Sequence, residues 1–329
     1  MTHPREAAAP RVALSVIVPA FRRVAALARV LAGLAAQECL ADPLEVIVVV
    51  DGGAPDVCAL LGDSDYTKDD AGARRYIVIP EGGPAVARNA GAAEARGDRL
   101  LFLDDDIIPA PTLARAHVDL HRRDPDAVGL GKIDLDAARR LTPFERYLYG
   151  FYDTHYRKMD GGHRPTFWDA LTGNLSTPAE AFRAAGGFDA AFSLLRHEDI
   201  EFAYRLARAG LRFAYLPAAV GYHQYVKTFE RGCHEAYVNG VSSVMLVARH
   251  PELRDQALTR RWAALPPVAR PALRALLRMD RARVMGWMAA LRAPAERTPG
   301  MALLFYRTAY HLNFWHGVRD AQNGRQPRV

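Results

Sequence analysis

Apolar runs and helix-like segments alternate through the first third of the chain. Four runs are rich in valine, isoleucine and leucine, and they lie at residues 11–19, 44–51, 73–80 and 99–106. Unbroken apolar runs are typical of strands covered on both faces, whereas strands with one solvated face alternate. Residues 22–37 and 85–97 instead place apolar side chains at helical spacing, and 62–73 form a polar surface loop. This strand–helix repetition predicts an α/β fold with a doubly wound, mostly parallel sheet.

After residue 109 the pattern predicts further elements in a less regular order. Strands are expected at 126–134 and, as one or two strands, within 211–224. Helices are expected at 144–159, 178–185, 229–249 and 198–209, the last with Gly210 as its C-cap. From residue 250 onward arginines accompany apolar residues at helical spacing, which predicts amphipathic helices. We therefore divide the chain into a domain of residues 1–249 and a helical C-terminal region of residues 250–329.

The positive charge of the chain is concentrated in this C-terminal region. Residues 250–329 contain 14 arginines, no lysine and 5 acidic residues, a net charge of +9. Because the whole chain carries +6, residues 1–249 carry −3. An arginine-rich tail can bind an anionic membrane surface, an anionic substrate or nucleic acid, or it can be a merely solvated helix surface. The negative first domain and the lack of an RNA-recognition signature argue against nucleic acid.

The N-terminal sequence and the cysteines indicate in which cellular compartment the protein is expected. A charged start precedes a short apolar run, but Pro19 interrupts that run and no small-residue cleavage site follows, so we predict a first strand and no signal peptide. No apolar stretch reaches the roughly 18 residues of a membrane-spanning helix. Cys39, Cys58 and Cys233 are odd in number and widely spaced. They form no recognisable disulfide or metal framework, which favours a reducing, cytoplasmic compartment.

Residues that could contact a ligand lie where three of the predicted strands end. Pro19 and Phe21 follow the first strand, Asp51 ends the second, and 104–106 (three aspartates) end the fourth. Ligands of a parallel α/β sheet bind beyond the carboxyl ends of its strands. The glycine-containing stretches nearby contain neither the GxGxxG fingerprint of dinucleotide folds nor a complete P-loop. Asp51 suits hydrogen bonding to a base or a ribose, and an ordinary Asp-Gly turn explains it nearly as well.

The three aspartates are the strongest single signal for a metal. Other DxD triplets are present, so the motif is weak without its context, and they lie at 63–65, 124–126 and 134–136. Residues i and i+2 of an extended chain point to the same side, so Asp104 and Asp106 face one point. Carboxylates and substrate phosphates are the ligands that Mg²⁺ and Mn²⁺ prefer. The alternative is an acidic turn that caps a helix starting near Thr112.

A second acidic cluster lies in the stretch "LLRHEDIEFAYRLARAG", residues 194–210. Glu198, Asp199 and Glu201 crowd a predicted helix start, where the helix dipole favours carboxylates. That explanation suffices physically, and the functional alternative is a general base at the mouth of a site. His223 ends a later predicted strand and is a candidate third metal ligand, although most of the eleven histidines must be structural.

In this order, the segments resemble a family 2 glycosyltransferase of the GT-A fold over about residues 12–245. "SVIVPAFRR" resembles the opening strand, "DGGAPD" the Asp-rich turn, and "GGPAVARNAGAAEARGDRLLFLDDD" the long central signature. "TGNLS" with "GGFD" resembles the acceptor-side segment, and "HEDIEFAYRLARAG" the ED motif. The resemblance implies a nucleotide-binding half at about 12–110 and an acceptor-side half at about 111–249.

The resemblance also implies roles for single residues, with Asp199 as the catalytic base and Mn²⁺ or Mg²⁺ as the cofactor. The implied metal ligands are Asp104, Asp106 and His223. The implied acceptor-side residues are Gly173, Asn174 and Glu198. The implied donor-binding residues are Pro19, Phe21, Asp51, Arg88, Asn89, Asp104 and Asp105, with Asp56 helping to close the pocket.

The implied activity is inverting transfer of one sugar from a nucleotide-diphosphate sugar, UDP-sugar by default, to a glycan or lipid-linked acceptor. Processive relatives carry QxxRW, and "QALTRRW" at 256–262 has the wrong spacing. Gly52 and Ala54 replace the family's second Asp and Ser, which leaves the base open. The rivals are a catalytically silent sugar-nucleotide binder or scaffold, and a sugar-1-phosphate nucleotidyltransferase, whose glycine-rich opening loop is missing here.

Aromatic residues accompany the arginines of the tail, which bears on a membrane partner. Basic and aromatic residues interleaved on a helix suit a membrane interface, so we expect peripheral contact with an anionic membrane. The alternative is that the aromatic residues pack back onto the catalytic domain. The residues concerned are Trp287, Phe305, Tyr306, Tyr310, Phe314 and Trp315.

Overall fold

A computed structural model describes residues 12–38, 40, 43–63, 73–136, 140–193, 196–224 and 227–325. The N-terminal eleven residues, Cys39 and most of the expected loop at 62–73 lie outside the described residues. Cys58 and Cys233 are free thiols.

Strands and helices alternate in the described chain as the apolar pattern predicts. The strands are β1 (Leu14–Ala20), β2 (Leu44–Asp51), β3 (Arg74–Ile79), β4 (Arg99–Leu103), β5 (Ile107–Pro109), β6 (Ala127–Leu135), β7 (Asn174–Pro178) and β8 (Arg212–His223). The first helices are α1 (Val24–Ala35), α2 (Pro55–Asp63), α3 (Gly83–Glu94), α4 (Leu113–Arg123), α5 (Pro143–Asp160) and α6 (Ala179–Ala184). The later helices are α7 (Glu198–Arg208), α8 (Phe229–Arg249), α9 (Arg260–Ala263), α10 (Ala269–Leu276), α11 (Arg281–Glu296) and α12 (Pro299–Gln322).

The strands form one mixed sheet in the order β3-β2-β1-β4-β7-β6-β8-β5. The half built from β3, β2, β1 and β4 is parallel, as predicted, and β6 and β8 also pair in parallel. The pairs β4–β7, β6–β7 and β5–β8 are antiparallel. The carboxyl ends of β1, β2 and β4 therefore meet at one edge, which is where the polar strand ends of the sequence lie.

The segment 211–224 forms a single strand, β8, with an irregularity in its middle. The register with β6 jumps between Gly131 and Lys132, whose partners are Leu216 and Val220. Pro217 lies inside the unpaired stretch, and proline has no N–H to contribute to a ladder. Beyond the irregularity, β8 continues far enough for its last residues to pair with β5.

The described chain contains two compact units. The first holds the sheet and consists of Met1–Asp136, His155–Ser193 and Phe202–Gln224. Its core includes a cluster of four phenylalanine rings, Phe102, Phe182, Phe188 and Phe202. The second unit consists of Ala137–Thr154, Leu194–Glu201 and Tyr225–Val329. The division expected at residue 249 stays a prediction.

Helices α8 and α12 pack very closely in the second unit. A Cβ at Gly240 would lie 2.0 Å from the carbonyl oxygen of Phe314, and one at Gly317 would lie 2.0 Å from that of Tyr237. Tyr306, Phe314 and Trp315 are accordingly buried within this unit. The expectation that these three aromatic residues face a membrane is wrong, because close helix packing takes their rings into a core.

Candidate active site

The acidic turn that follows β4 is held tightly by its neighbours. Its N-terminal Asp104 donates its backbone N–H to the carbonyl of Gly173 (3.3 Å), and Ile107 donates its own to the carbonyl of Asp104 (3.1 Å). A Cβ at Gly173 would lie 2.7 Å from the Ile107 Cδ1 and 2.9 Å from the Asp104 Oδ2. Glycine is therefore required here for the close approach, and Gly173 borders the acidic turn. Its place on the acceptor side stays a prediction.

Two arginines form ion pairs with the three carboxylates of this turn. Arg88, which is 4% exposed, donates from its guanidinium to the Asp104 Oδ1 (2.9 Å). Arg23 forms ion pairs with the Asp105 Oδ1 (2.6 Å) and with Asp106. Burial raises the pKa of Asp105 to about 7, and the Arg23 charge opposes this rise while the Asp106 charge adds to it. The pKa of Arg23 is raised, because the carboxylates outweigh the burial that alone would lower it.

The end of β8 brings a histidine to the same turn. His223 pairs with Ile107 across the β5–β8 ladder, and Gln224 donates its N–H to the Asp106 carbonyl (2.9 Å). This register places the His223 Nε2 3.4 Å from the Asp106 Oδ2. Of the three expected metal ligands, Asp106 and His223 thus lie side by side, while Asp104 pairs with Arg88.

The donor set fits a divalent cation that is shared with a substrate. In the parts of the chain that the structure describes, no three His, Cys, Asp or Glu side chains are arranged as a complete metal site. Asp106 and His223 offer a carboxylate and an imidazole, and Asp104 offers a second carboxylate on the same turn. Mg²⁺ and Mn²⁺ are commonly held by one or two carboxylates with water and substrate phosphates completing the shell. The residues present fit that arrangement and do not form a closed protein cage.

The end of β2 organises the start of α3. The buried Asp51 carboxylate accepts hydrogen bonds from the backbone N–H groups of Gly82 (2.8 Å) and Gly83 (2.9 Å). Gly83 has a φ of +80°, and a Cβ there would lie 2.6 Å from the Ser193 carbonyl oxygen. Asp51 therefore shapes the glycine turn, and each carboxylate oxygen keeps a lone pair for a further donor.

Two residues that match the family signature have structural partners. The Asn89 side chain donates to the Phe188 carbonyl and accepts from the Phe188 N–H, each at 2.8 Å, so it holds the "GGFD" turn. Asn174 is buried, and its amide donates to the carbonyls of Ala219 (2.8 Å) and Lys132 (3.3 Å). Both amides are used within the protein, so any effect of Asn89 or Asn174 on a substrate is exerted through the backbone that they hold.

The strand ends also contain two residues that were not expected from the sequence, Glu81 and Arg23. A Cβ at Gly52 would lie 3.3 Å from the Glu81 Cβ and 3.5 Å from the Phe21 Cε2, so these two side chains flank the turn after β2. Arg23 is the other omission, although it follows directly on "PAF". A buried acidic cluster needs counter-charges, and the adjacent arginines of "AFRR" were the signal for one.

The predicted base lies at the start of α7, in a segment assigned to the second unit. His197 precedes it with a φ of +77°, and its Nε2 contacts the Ser243 Oγ (3.0 Å), whose hydroxyl donates to the Asn239 carbonyl. The Ser243 oxygen must therefore accept from the imidazole. Burial lowers the pKa of His197 to about 3, consistent with a neutral ring. This anchor on α8 fixes the turn that leads into α7, whose first two residues are Glu198 and Asp199.

A charged pair and a hydrogen bond support the same turn. Arg196 donates its N–H to the Ser242 Oγ (3.0 Å) and forms an ion pair with Glu235 (3.6 Å). Burial alone would lower the pKa of Arg196, but the Glu235 and Glu198 carboxylates raise it. Glu198 and Asp199 are half-buried at the helix start, where the helix dipole stabilises their charged forms.

The mixed sheet with carboxylates at its strand ends defines the class as a GT-A fold. A mannosyltransferase from Pyrobaculum calidifontis, solved with GDP-Man and Mn²⁺, has a TM-score of 0.60 and 20% identity, over 96% of this chain and 88% of that one. Residues 1–349 of S. aureus TarS, solved with UDP-GlcNAc, have a TM-score of 0.55 and 17% identity, over 96% and 93%. These similarities show the fold.

Residues 10–239 match the family model described as "Glycosyltransferase like family 2", and the chain belongs to that family. It is 28% identical over 259 residues to the pre-mycofactocin glycosyltransferase of Mycobacterium tuberculosis, covering 77% of this chain and 51% of that protein. It is 28% identical over 288 residues to the validoxylamine A glucosyltransferase of Streptomyces hygroscopicus, covering 76% and 63%. The chain thus spans about half to two thirds of the length of these relatives.

Proposed function

We propose that this chain is an inverting glycosyltransferase that moves one sugar from a nucleotide-diphosphate sugar to an acceptor hydroxyl. The observation that carries the proposal is the acidic turn after β4, where Asp106 meets His223 (3.4 Å) and the other carboxylates form ion pairs with arginines. The strand ends of β1 and β2 adjoin this turn in the sheet order. Such an edge suits the diphosphate and the nucleoside of one donor.

The donor is a nucleoside diphosphate sugar, with UDP as the first base to test. Fold neighbours were solved with GDP-Man and with UDP-GlcNAc, which makes both bases reasonable. In our proposal, Asp51 and the exposed Phe21 ring contact the nucleoside, Pro19 lines its pocket, and Asp56 helps to close it. Arg88 holds the Asp104 carboxylate in place. A divalent cation bound to Asp106 and His223 would supply positive charge for the departing diphosphate.

Asp199 is proposed as the general base. Its carboxylate accepts the proton of the acceptor hydroxyl while that oxygen attacks the anomeric carbon opposite the leaving diphosphate. One displacement of this kind forms one glycosidic bond, breaks the bond to the diphosphate and inverts the anomeric configuration. Glu198 and Gly173 are assigned to the acceptor side, with Asn174 supporting the strand end next to Gly173.

The acceptor is proposed to be a glycan or a lipid-linked molecule, and the protein to work in the cytoplasm at an anionic membrane surface. Among the described helices none is long and apolar enough to cross a membrane. Exposed apolar side chains lie on α11 and at the start of α12, and they are Trp287, Leu291, Met301, Leu303 and Leu304. Exposed arginines on or between the same helices, Arg283, Arg297 and Arg307, provide charge complementary to an anionic leaflet.

The test is a panel of nucleoside diphosphates and their sugars, in thermal-shift and hydrolysis assays, with and without Mn²⁺. A glycosyltransferase should be stabilised by one diphosphate in a Mn²⁺-dependent way and should slowly hydrolyse the matching sugar-nucleotide. Stabilisation without any hydrolysis or transfer would favour the catalytically silent binder. The absence of any stabilisation across the panel would contradict the donor site itself.

A further inference from the structure

We propose that Arg23 is an internal counter-cation of the acidic turn, which competes with the divalent cation for Asp106 and thereby makes cation binding depend on the donor diphosphate. The inference rests on the proposed function, because it takes Asp106 as the carboxylate that binds the cation. It concerns a residue of this chain to which the family signature assigns no role.

The backbone between β1 and α1 aims Arg23 at the acidic turn. Arg22 has a φ of +57°, and its guanidinium lies over the Phe21 ring, 4.6 Å from the ring centre. Phe21 in turn donates its N–H to the Asp105 Oδ2 (3.2 Å). The next residue, Arg23, is thereby directed to the carboxylates, where it bridges Asp105 (2.6 Å) and Asp106.

Arg23 engages the oxygen that the cation needs. Its Nη1 contacts the Asp106 Oδ2, which is also the atom facing the His223 Nε2. A guanidinium and a divalent cation carry like charges, so they repel each other when both contact one carboxylate oxygen. Cation binding between Asp106 and His223 is therefore weakened while Arg23 holds this oxygen.

Exposure distinguishes Arg23 from the other arginine of the site. The Arg88 side chain is only 4% exposed, and moving it off Asp104 would leave a buried charge without its partner. The Arg23 side chain is 51% exposed, whereas its partner Asp105 is 1% exposed. Because Nη2 of Arg23 holds the buried Asp105 and Nη1 contacts Asp106, the half-exposed side chain can turn Nη1 towards water and still keep Asp105, so Arg23 is the movable charge of the turn.

The donor offers Arg23 an alternative partner. A diphosphate brings further anionic oxygens to the same edge of the sheet, and arginine binds phosphate oxygens well through its planar fork of donors. Drawing Arg23 away from Asp106 frees the carboxylate for the cation. Binding of the cation and of the diphosphate is then coupled, and each strengthens the other by the same factor.

The experiment measures Mn²⁺ affinity by the electron paramagnetic resonance signal of free Mn²⁺, with and without UDP, correcting for Mn²⁺ bound by UDP in buffer. The variants are Arg23→Gln, Asp106→Asn as the test of the cation site, and, as the matched control, Arg22→Gln, which removes the adjacent arginine that lies over the Phe21 ring. Arg23→Gln should bind Mn²⁺ without UDP about tenfold more tightly than the wild type, within the usual range of coupling between sites. The gain in Mn²⁺ affinity caused by UDP should shrink, and Arg22→Gln should behave like the wild type.

Three outcomes would overturn the inference. Equal or weaker Mn²⁺ binding by Arg23→Gln would show that Arg23 does not compete, while leaving the cation site and the proposed function intact. An equal gain in Arg22→Gln would reduce the effect to net charge. If Mn²⁺ binds none of these proteins with UDP, or binds Asp106→Asn as well as wild type, the cation site itself is wrong. Circular dichroism of each variant confirms that the fold is kept.

Discussion

At the scale of single residues, Asp199 gives the most direct test of the proposed function, because it is proposed to accept the proton of the acceptor hydroxyl. Asp199→Asn keeps the shape of the side chain but removes its basicity, so kcat should fall by roughly 10²–10⁴. Donor affinity should stay unchanged, because the residue is proposed to act on the acceptor. Steady-state kinetics and calorimetric UDP binding measure the two quantities.

A neighbouring carboxylate provides the control for this test. Glu198→Gln removes one charge from the same helix start and should reduce kcat by a much smaller factor. If Asp199→Asn turns over normally and only the donor KM changes, Asp199 is a helix-start residue and the base must be sought elsewhere.

The cation site is tested at Asp106. Asp106→Asn removes a charged oxygen ligand next to His223, so the part of UDP affinity that depends on Mn²⁺ should disappear. Calorimetric titration of UDP with Mn²⁺ and with a chelator measures that part. Asp126→Asn is the matched control, because this exposed aspartate belongs to a DxD triplet that follows no strand end. A Mn²⁺-dependent affinity that survives in Asp106→Asn would contradict the site.

The place of a single residue in the fold could be predicted from the sequence, whereas its hydrogen-bond or ion-pair partner could not. Asp106 could be placed at a strand end from the apolar run before it. Asn89 matched a signature, yet its amide is bound to the Phe188 backbone some hundred positions along the chain. Arg23 was not singled out because its ion pairs cross more than eighty positions. Periodicity carries no information about such distant pairing.

At the scale of elements, α4 and β7 share a buried chain of hydrogen bonds. His117 contacts the Ser176 Oγ through Nδ1 (2.7 Å) and the Asn174 Oδ1 through Nε2 (2.9 Å), and the His121 Nε2 contacts the same Ser176 oxygen (2.8 Å). Because the Asn174 oxygen only accepts, His117 carries its proton on Nε2 and accepts from the Ser176 hydroxyl. The His121 Nε2 then donates to Ser176. Burial lowers the pKa of both imidazoles, which favours their neutral forms.

This network of hydrogen bonds predicts how the free energy of unfolding depends on pH. Burial lowers the pKa of His117 to about 4 and that of His121 to about 3, against an ordinary value of 6.5. Below pH 6.5 the unfolded chain therefore binds more protons than the folded chain. The contribution of these histidines to the unfolding free energy is fully present above about pH 6.5 and is lost as the pH drops towards 4. Each imidazole contributes about 1.4 kcal/mol per pH unit in that window. Urea unfolding between pH 7.5 and 4.5 measures the slope.

Two variants separate the titration from the packing. His121→Phe removes one titrating group, so the slope should fall by about 1.4 kcal/mol per pH unit relative to the wild type. Ser176→Ala breaks the hydrogen-bond network but keeps both imidazoles. It should therefore lower the unfolding free energy at every pH and leave the slope against pH unchanged. An unchanged slope in His121→Phe would show that this imidazole does not titrate as inferred.

The same hydrogen-bond network explains why the central strand β7 was not predicted from the sequence. β7, with the sequence NLSTP, is buried along its whole length between β4 and β6. The Asn174 and Ser176 side chains lie in the core with histidine partners on α4, and a strand of this composition has no apolar run to reveal it. The strands β1 and β2 were predictable because both of their faces are buried, which leaves their apolar runs unbroken.

At the scale of the whole molecule, the tail combines an excess of positive charge with exposed apolar side chains. The sequence predicted its helices but not which of their side chains are buried, because that is decided by packing against α8. Tyr306 and Phe314 joined the core, whereas Trp287 remained half exposed on α11. Helices α11 and α12 are joined by two residues and pack against each other. Their exposed apolar side chains therefore belong to one helical pair flanked by arginines.

This surface predicts salt-sensitive binding to anionic membranes. The wild-type protein should co-sediment with phosphatidylcholine vesicles that contain phosphatidylglycerol, weakly or not at all with phosphatidylcholine alone, and less as the salt concentration rises. Each arginine near the leaflet adds about 1 kcal/mol, and apolar side chains that enter the interface add to this. Removing all of 250–329 would uncover α8, so point variants are the better test.

The decisive variant is Trp287→Ser combined with Leu291→Ser and Leu304→Ser, which keeps every arginine and removes apolar side chains that are already exposed. Its vesicle binding should fall at least tenfold, because the charge alone gives only weak adsorption. Val268→Ser, which removes another exposed apolar side chain outside α11 and α12, should bind like the wild type. Failure of the wild type to bind any anionic vesicle would leave these helices with a packing role alone. Equal binding by the triple variant would show that charge, and not an inserted apolar surface, holds the protein at the membrane.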